Sequence, residues 1–299
     1  LRQVLARGSF DAVLATTWFP HAAAVTATRS RAPLYLCVYG NDFLERRWEK
    51  PFWRKRLFRA LEQSRLLLAG SVGSAEAIRE FWPAAAAKTV VVTPAVDPAE
   101  FGPGAASPPP DQPVLLTLAR LVERKGQDMV IRALPTILKE FPRAEYWIAG
   151  RGSHEEALRR LARETGVESR VKFLGFVSRE ERISLYQRCT LYLMPSRTIA
   201  EKGDFEAFGI TFLEANACGK PVIGGRSGGI ADAVIDGVTG LLADPHSPGD
   251  IAWQTLRILR DSGYARKLGD QGRRRVETEM NWASTAKRVV ELFSKPAGK

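Results

Sequence analysis

The stretch Val114-Leu115-Leu116-Thr117-Leu118-Ala119-Arg120-Leu121-Val122-Glu123-Arg124-Lys125-Gly126 reads as a buried strand ending at Leu118, a loop with Arg120 and Lys125, and the approach to a helix. A helical period follows over 127–140, and a second strand over 145–149. Working outward from this unit, short β-rich runs alternate with helical patterns along the chain. The strand candidates are 11–16, 33–39, 66–70, 89–93, 114–118, 145–149, 171–174, 191–194, 221–224 and 240–243. Several are unbroken apolar runs, such as Leu66-Leu67-Leu68-Ala69, which suits strands covered on both faces. Strand–helix alternation of this kind predicts an α/β chain with parallel sheets.

With 299 residues the chain has room for two domains. The run 102–113, rich in Pro and Gly and without periodicity, reads as the linker between them, directly before the fresh strand at Val114. This gives 1–107, 108–280 and a C-terminal helix in 281–299 that crosses back to the first domain. The chain begins at Leu1, without Met, inside a helix-like stretch, so the expectation is that preceding residues are missing and the N-terminal domain is incomplete. The sequence shows no apolar stretch near the ~20 residues a membrane span needs and no signal-peptide pattern. The cysteines Cys37, Cys189 and Cys218 form no close pair, which fits reduced cytosolic thiols. His21, His154 and His246 lack metal-ligand spacing, so no metal site is expected. The formal charge of +11 implies attraction to polyanions without choosing among nucleic acid, an anionic membrane face and phosphorylated ligands.

Two stretches carry chemistry. Arg120 and Lys125 stand where a parallel strand meets a helix start, a pairing suited to a diphosphate. The other reading is a pair of solvated cations. In Asp204-Phe205-Glu206-Ala207-Phe208-Gly209-Ile210-Thr211-Phe212-Leu213-Glu214-Ala215-Asn216-Ala217-Cys218-Gly219-Lys220-Pro221, Gly209 ends a loop and Ile210–Cys218 reads as a helix. Glu206 precedes that helix and Glu214 lies about a turn inside it. The two carboxylates can accept hydroxyl hydrogen bonds while the free N–H groups at the helix start hold phosphate. The alternative makes Glu206 a dipole-complementing acid and Glu214 a surface residue.

The Glu206–Glu214 frame, with Phe208-Gly209 inside it and Ala217-Cys218-Gly219 and Pro221-Val222-Ile223 after it, resembles the retaining glycosyltransferases of family 4. Further matching stretches are Arg120-Leu121-Val122 with Lys125-Gly126, Trp147-Ile148-Ala149-Gly150 with Gly152, Val171 with Phe173-Leu174-Gly175, Ser227-Gly228-Gly229, and Asp236-Gly237 with Gly240-Leu241-Leu242. Their order strengthens what single glycine motifs leave weak. The resemblance implies the GT-B fold: two Rossmann-like parallel-sheet domains facing across a cleft. It implies that Arg120 and Lys125 stabilise the diphosphate of a nucleoside diphosphate sugar. Glu206 with the backbone of Ala207, Phe208 and Gly209 would hold donor-sugar hydroxyls, Ile210 and Thr211 would meet phosphate, and Glu214 the ribose. The nucleobase would rest near Gly175, Phe176 and Val177, and Gly150 and Gly152 would line the same site or serve close packing. No cofactor and no metal are implied.

The first domain departs from the family. Tyr39 in Val38-Tyr39-Gly40-Asn41-Asp42 stands where the family shows a His, so Tyr39, Gly40, Asp42 and His21 are the acceptor-side candidates. The basic, aromatic stretch 46–59 has two open readings. One is an anionic membrane surface met by its cations and aromatics. The other is an amphipathic helix packing Phe52, Leu57 and Phe58 on the sheet. No nucleic-acid motif accompanies it, so no nucleic-acid partner is expected. The expected function is a cytoplasmic, peripheral hexosyltransferase to a glycan or lipid-linked acceptor, leaning to GDP-mannose through the run 201–206. A sugar-nucleotide epimerase of the same fold and a non-catalytic nucleotide-sugar-binding module are the alternatives.

Overall fold

The computed structural model describes residues 2–294 apart from 9, 29, 41, 42, 44–47, 49, 105–107, 109, 110, 200 and 202. The chain forms two compact units, Leu1–Pro94 with Ile199–Phe208 and Ala283–Lys299, and Ala95–Thr198 with Gly209–Trp282.

The first unit runs α1 (Arg2–Arg7), β1 (Val13–Ala15), α2 (Ala23–Thr26), β2 (Leu34–Val38), α3 (Pro51–Gln63), β3 (Ser64–Ala69), α4 (Val72–Phe81) and β4 (Thr89–Val91). Its four strands are parallel and stand in plain chain order, β1-β2-β3-β4. Leu36, Val38, Leu67 and Ala69 bury one face of this sheet against Leu57, Leu61, Ala75 and Ile78. Those helix residues recur at one-turn spacing, which gives α3 and α4 their apolar stripes. Ser71 caps α4 by accepting from Ser74 N at 2.9 Å.

The second unit runs β5 (Val114–Leu118), α5 (Gln127–Glu140), β6 (Glu145–Ala149), α6 (Glu155–Glu164), β7 (Val171–Gly175), α7 (Arg179–Arg188), β8 (Leu191–Met194), α8 (Ile210–Ala217), β9 (Val222–Gly225), α9 (Ile230–Ala233), β10 (Leu241–Ala243), α10 (Pro248–Arg260) and α11 (Ser262–Thr278). The six parallel strands are ordered β10-β9-β8-β5-β6-β7. The chain therefore builds to one side of β5, returns, and builds to the other. The core gathers Leu115, Tyr146, Ile148, Leu193 and Ile223 from the sheet with Val130, Ile131, Leu134 and Ile137 from α5. The last helix, α12 (Trp282–Ser294), packs in the first unit, where Leu292 joins Tyr35 and Leu68. The Phe293 ring lies 4.3 Å from that of Tyr35.

All ten expected strands are present, each boundary within two residues of its sequence reading. The unit boundary differs. The units divide at Pro94/Ala95, ahead of the 107/108 boundary read from the Pro/Gly-rich run. The intervening segment is fastened to the second unit: Glu100 pairs with Arg179 at 2.6 Å, and Gln187 Nε2 donates to Gly102 O at 2.9 Å. Composition marks where a chain is irregular, and these long-range bonds decide which body it joins. Glu206, Ala207 and Phe208 likewise fall in the first unit, because the loop carrying them packs Phe205 on Gly40.

Candidate functional site

In a sheet ordered like that of the second unit, the connections leaving β5 and β8 go to opposite sides. The crevice opened there, at the carboxyl ends of the strands, is the usual ligand position in open α/β sheets. A cavity of about 580 Å³ lies at this end. Its wall is Leu118, Ala119 and Arg120 after β5, Ala149, Gly150 and Arg151 after β6, Phe176 through Arg179 after β7, Arg182 on α7, and Thr211 on α8. That volume falls in the usual range for small-molecule sites.

Glycine shapes the floor. Gly150 has φ +134°, and a Cβ there would collide with Ala119 O; a Cβ on Gly152 would collide with Leu121 O. The two loops are pressed together by Leu121 N donating to Arg151 O and His154 N donating to Leu121 O, both at 3.0 Å. Close packing thus explains both glycines, and only Gly150 also lines the cavity. Gly175 is outside the lining and accepts from Gly150 N at 2.7 Å. Phe176 is 76% exposed, a bare ring at the cavity wall.

Four guanidinium groups face the cavity, and they divide into two kinds. Arg179 pairs with Glu100 at 2.6 Å and Arg182 with Glu214 at 3.1 Å. Arg120 and Arg151 have no side-chain ion pair or hydrogen bond among the described residues, so their charge is available to a ligand. Sequence reasoning found Arg120 and missed Arg151, Arg179 and Arg182. The signal for the last two was the capping box Ser178/Glu181, which starts α7 beside Val177 and aims its first turns at the strand ends.

Gly209, the residue before helix α8, is in the left-handed region at φ +87°, and no side chain caps the first amides of the helix. Its start is therefore an open anion site in the physical sense. Thr211 reaches the cavity and is fixed by the Tyr192 hydroxyl at 2.8 Å, which also lies 3.3 Å from Leu118 O. Lys125 is buried, not a solvated cation. Its Nζ is 3.5 Å from Met194 Sδ, and the Met194 methyl stands 3.6 Å from where a Cβ on Gly209 would be. Lys125 thus sits beside the start of α8, although the cavity wall does not include it. Glu214 is also buried rather than on the surface; the Tyr186 hydroxyl donates to it at 2.7 Å. Burial raises its pKa above the ordinary carboxylate value, while the Tyr186 bond and the Arg182 charge act in the opposite direction.

The first unit holds most of the remaining candidates. Glu206 and Phe208 are buried there, and Ile210, the first residue of α8, is exposed in the second unit. A Cβ on Gly40 (φ +89°) would strike the Phe205 ring, and one on Gly70 would stand 2.9 Å from the ring of Tyr39. His21 accompanies a separate cavity of about 430 Å³ lined by β1 and α2, and its Nδ1 lies 2.9 Å from Thr16 Oγ1. Asp42 lies outside the described residues. Of the stretch 46–59, residues 46, 47 and 49 also lie outside them. In α3, Leu57 is buried and Phe58 stacks on Phe81 at 5.7 Å, while Phe52 stays 60% exposed with Arg56 3.7 Å over its ring. The helix therefore packs on the sheet through Leu57, meets the end of α4 through Phe58, and presents Phe52, Arg54, Lys55, Arg56 and Arg59 outward.

Residues 103–275 match the family model described as glycosyl transferases group 1, and residues 1–100 match the model for glycosyltransferase family 4. The chain belongs to the group 1 glycosyl transferases. Among relatives of this family, the GDP-mannose-dependent alpha-(1-6)-phosphatidylinositol monomannoside mannosyltransferase of Mycolicibacterium smegmatis is 39% identical over 184 residues, 62% of this chain and 48% of that protein. D-inositol 3-phosphate glycosyltransferase 2 of Catenulispora acidiphila is 31% identical over 77% of this chain and 56% of its own length. The chain thus spans about half the length of the curated relatives it matches. The crystal structure of Anabaena Alr3699/HepE in complex with UDP aligns with a TM-score of 0.79 at 22% identity, covering 95% of this chain and 79% of that one. This likeness establishes the GT-B fold for the present glycosyl transferase.

Proposed function

We propose that this group 1 glycosyl transferase is a retaining hexosyltransferase that moves a hexose from a nucleoside diphosphate sugar, GDP-mannose in the first instance, to a glycan or lipid-linked acceptor. One observation carries the reading: a cavity at the switch point of the second sheet contains the unpaired Arg120 guanidinium and Thr211 of the uncapped α8 start. The named activities of the relatives support the choice of GDP-mannose.

Breaking a glycosyl–phosphate bond leaves negative charge on the diphosphate and positive charge on the sugar ring. Arg120, Lys125 and the α8 amides then act where the leaving group gains charge, in a pre-organised setting. No step in this scheme needs a metal. Glu206 and the backbone of Ala207–Gly209 hold sugar hydroxyls, Glu214 accepts from the ribose, and Phe176 and Val177 carry the base. With both glutamates engaged in binding, retention follows from front-face departure and attack through an ion-pair-like state, without the double displacement of retaining glycosidases. Tyr39, Gly40 and His21 belong to the acceptor side. The outward cations and Phe52 of α3 rest on the anionic inner face of the cytoplasmic membrane. Among the described residues no helix is long and apolar enough to cross a membrane.

The test is a calorimetric screen of GDP-, UDP- and ADP-sugars, followed by product analysis with a lipid-linked acceptor. Donor binding with an α-linked product from an α-linked donor is the expected result. Failure to bind any nucleotide sugar ends the proposal, and release of an epimerised sugar without acceptor would replace it with the epimerase reading.

A further inference from the structure

Glu214 is the one carboxylate on α8, and its surroundings are unusually specific. Thr211 and Glu214 are three residues apart, hence on one face of the helix, and Thr211 lines the cavity. Arg182 and Tyr186 are four apart on α7 and so share a face of that helix. From that face each takes one oxygen of Glu214: Arg182 Nη1 meets Oε1 at 3.1 Å and the Tyr186 hydroxyl donates to Oε2 at 2.7 Å. A carboxylate offers about four lone-pair sites, so this grip leaves one acceptor site on each oxygen. Two adjacent acceptors at that spacing suit two vicinal hydroxyls.

The groups facing Glu214 are few. Arg182 and Tyr186 come from α7, and Glu100 comes from the segment before β5. Glu100 is occupied by Arg179 at 2.6 Å and lies 4.0 Å from Arg182. At the far end of α8 stand Cys218, Lys220 and Arg273. Arg182 is therefore the cation that compensates the buried carboxylate. Its own Nε–H is buried without a hydrogen-bond partner among the described residues, so its guanidinium is committed to Glu214 at a desolvation cost.

We propose that Arg182 is a positioning residue: with the Tyr186 hydroxyl, it holds the Glu214 carboxyl oriented as a two-point acceptor for the vicinal ribose hydroxyls of the nucleotide donor. This rests on the reading of Glu214 as the ribose-binding carboxylate. Without Arg182, burial acts on Glu214 unopposed by a nearby cation. Its proton is then held to higher pH, and while protonated it has less acceptor capacity.

The experiment measures binding of GDP and UDP, and of their 2′,3′-dideoxy analogues, by calorimetry across pH for the wild type, Arg182→Met, Arg182→Lys and Tyr186→Phe. The wild type is expected to prefer the ribose form by about tenfold or more. Arg182→Met should lose most of that preference and recover it as pH rises, while any loss of dideoxy binding, to which Arg182 contributes as a cavity cation, is the same at every pH. Arg182→Lys should keep the preference with the wild-type pH profile. Tyr186→Phe should weaken it in part, and it decides the question if Arg182→Met does not fold. An unchanged ribose preference and pH profile in Arg182→Met and Tyr186→Phe overturns the role of Arg182 while leaving that of Glu214 intact. A wild type that binds nucleotides without ribose preference overturns both, and no nucleotide binding at all removes the donor site itself.

Discussion

The two units are built from the same parts and differ in one topological respect. In the first, β1 to β4 follow each other across the sheet in chain order, so among the described strands no two neighbouring connections diverge. There the strand ends are covered by the unit's own aromatic rings, Tyr39 over Gly70 and Phe205 over Gly40, and the cavity beside β1 is lined by apolar groups, Thr16 and His21. In the second, the sheet reverses at β5/β8, and the space so opened collects four guanidinium groups and an uncapped helix start. Identical strand–helix chemistry thus yields strand ends covered by aromatic rings in one case and a cavity walled by four guanidinium groups in the other. The order of strands across the sheet, more than residue type, decides which.

This contrast can be broken most directly at Arg120. Arg120→Ala should lower the transfer rate by about 10²–10³-fold, on the order of 3–4 kcal/mol, in a steady-state donor assay. A loss of less than about tenfold would mean that the cavity is not where the leaving group is stabilised. The glycines give the next largest effect. Gly150→Val meets a backbone oxygen at a positive φ and should destabilise the second unit by about 3 kcal/mol or more in thermal unfolding. Gly40→Ala meets only the far edge of the Phe205 ring and should cost roughly 1–2 kcal/mol in the same measurement. Equal costs at the two sites would mean that the backbone oxygen facing Gly150 gives way as easily as the Phe205 ring facing Gly40.

On the first unit, Arg54→Ala with Lys55→Ala should weaken partition onto phosphatidylserine vesicles by about 1 kcal/mol per cation removed, with nucleotide affinity unchanged. Vesicle binding that survives the double change would remove the membrane role of α3. The pH effect is smaller. Glu214 has its folded pKa raised by burial, so its contribution is favourable below the ordinary carboxylate range and is lost as pH rises through the raised value. Glu214→Gln should flatten the stability profile in that window, and an unaltered slope would mean that Glu214 titrates normally. The smallest expected effect is none: transfer should proceed at the same rate after EDTA treatment, and a metal-dependent recovery would overturn the metal-free reading.

Much of this was legible in the residues. Unbroken apolar runs such as 66–69 and 191–194 mark several of the ten strands, because a parallel strand covered on both faces has no polar alternation to obscure it. Gly209 and the sequence after it located α8, and Arg120 was placed correctly at the end of β5. Arg151, Arg179 and Arg182 were not found, since an arginine in a helix turn or loop looks the same in sequence whether it faces solvent or a cavity.

The sequence alone therefore determined the α/β class, the strand and helix positions, the order of the family motifs and the candidate cation Arg120. These follow from local periodicity and residue chemistry. Only the tertiary structure decided that the segment 95–104 belongs with the second unit, that Lys125 and Glu214 are buried, and that Glu214 is gripped by Arg182 and Tyr186. Each of these depends on groups far apart in the chain meeting across the sheet end, a relation that no local pattern encodes.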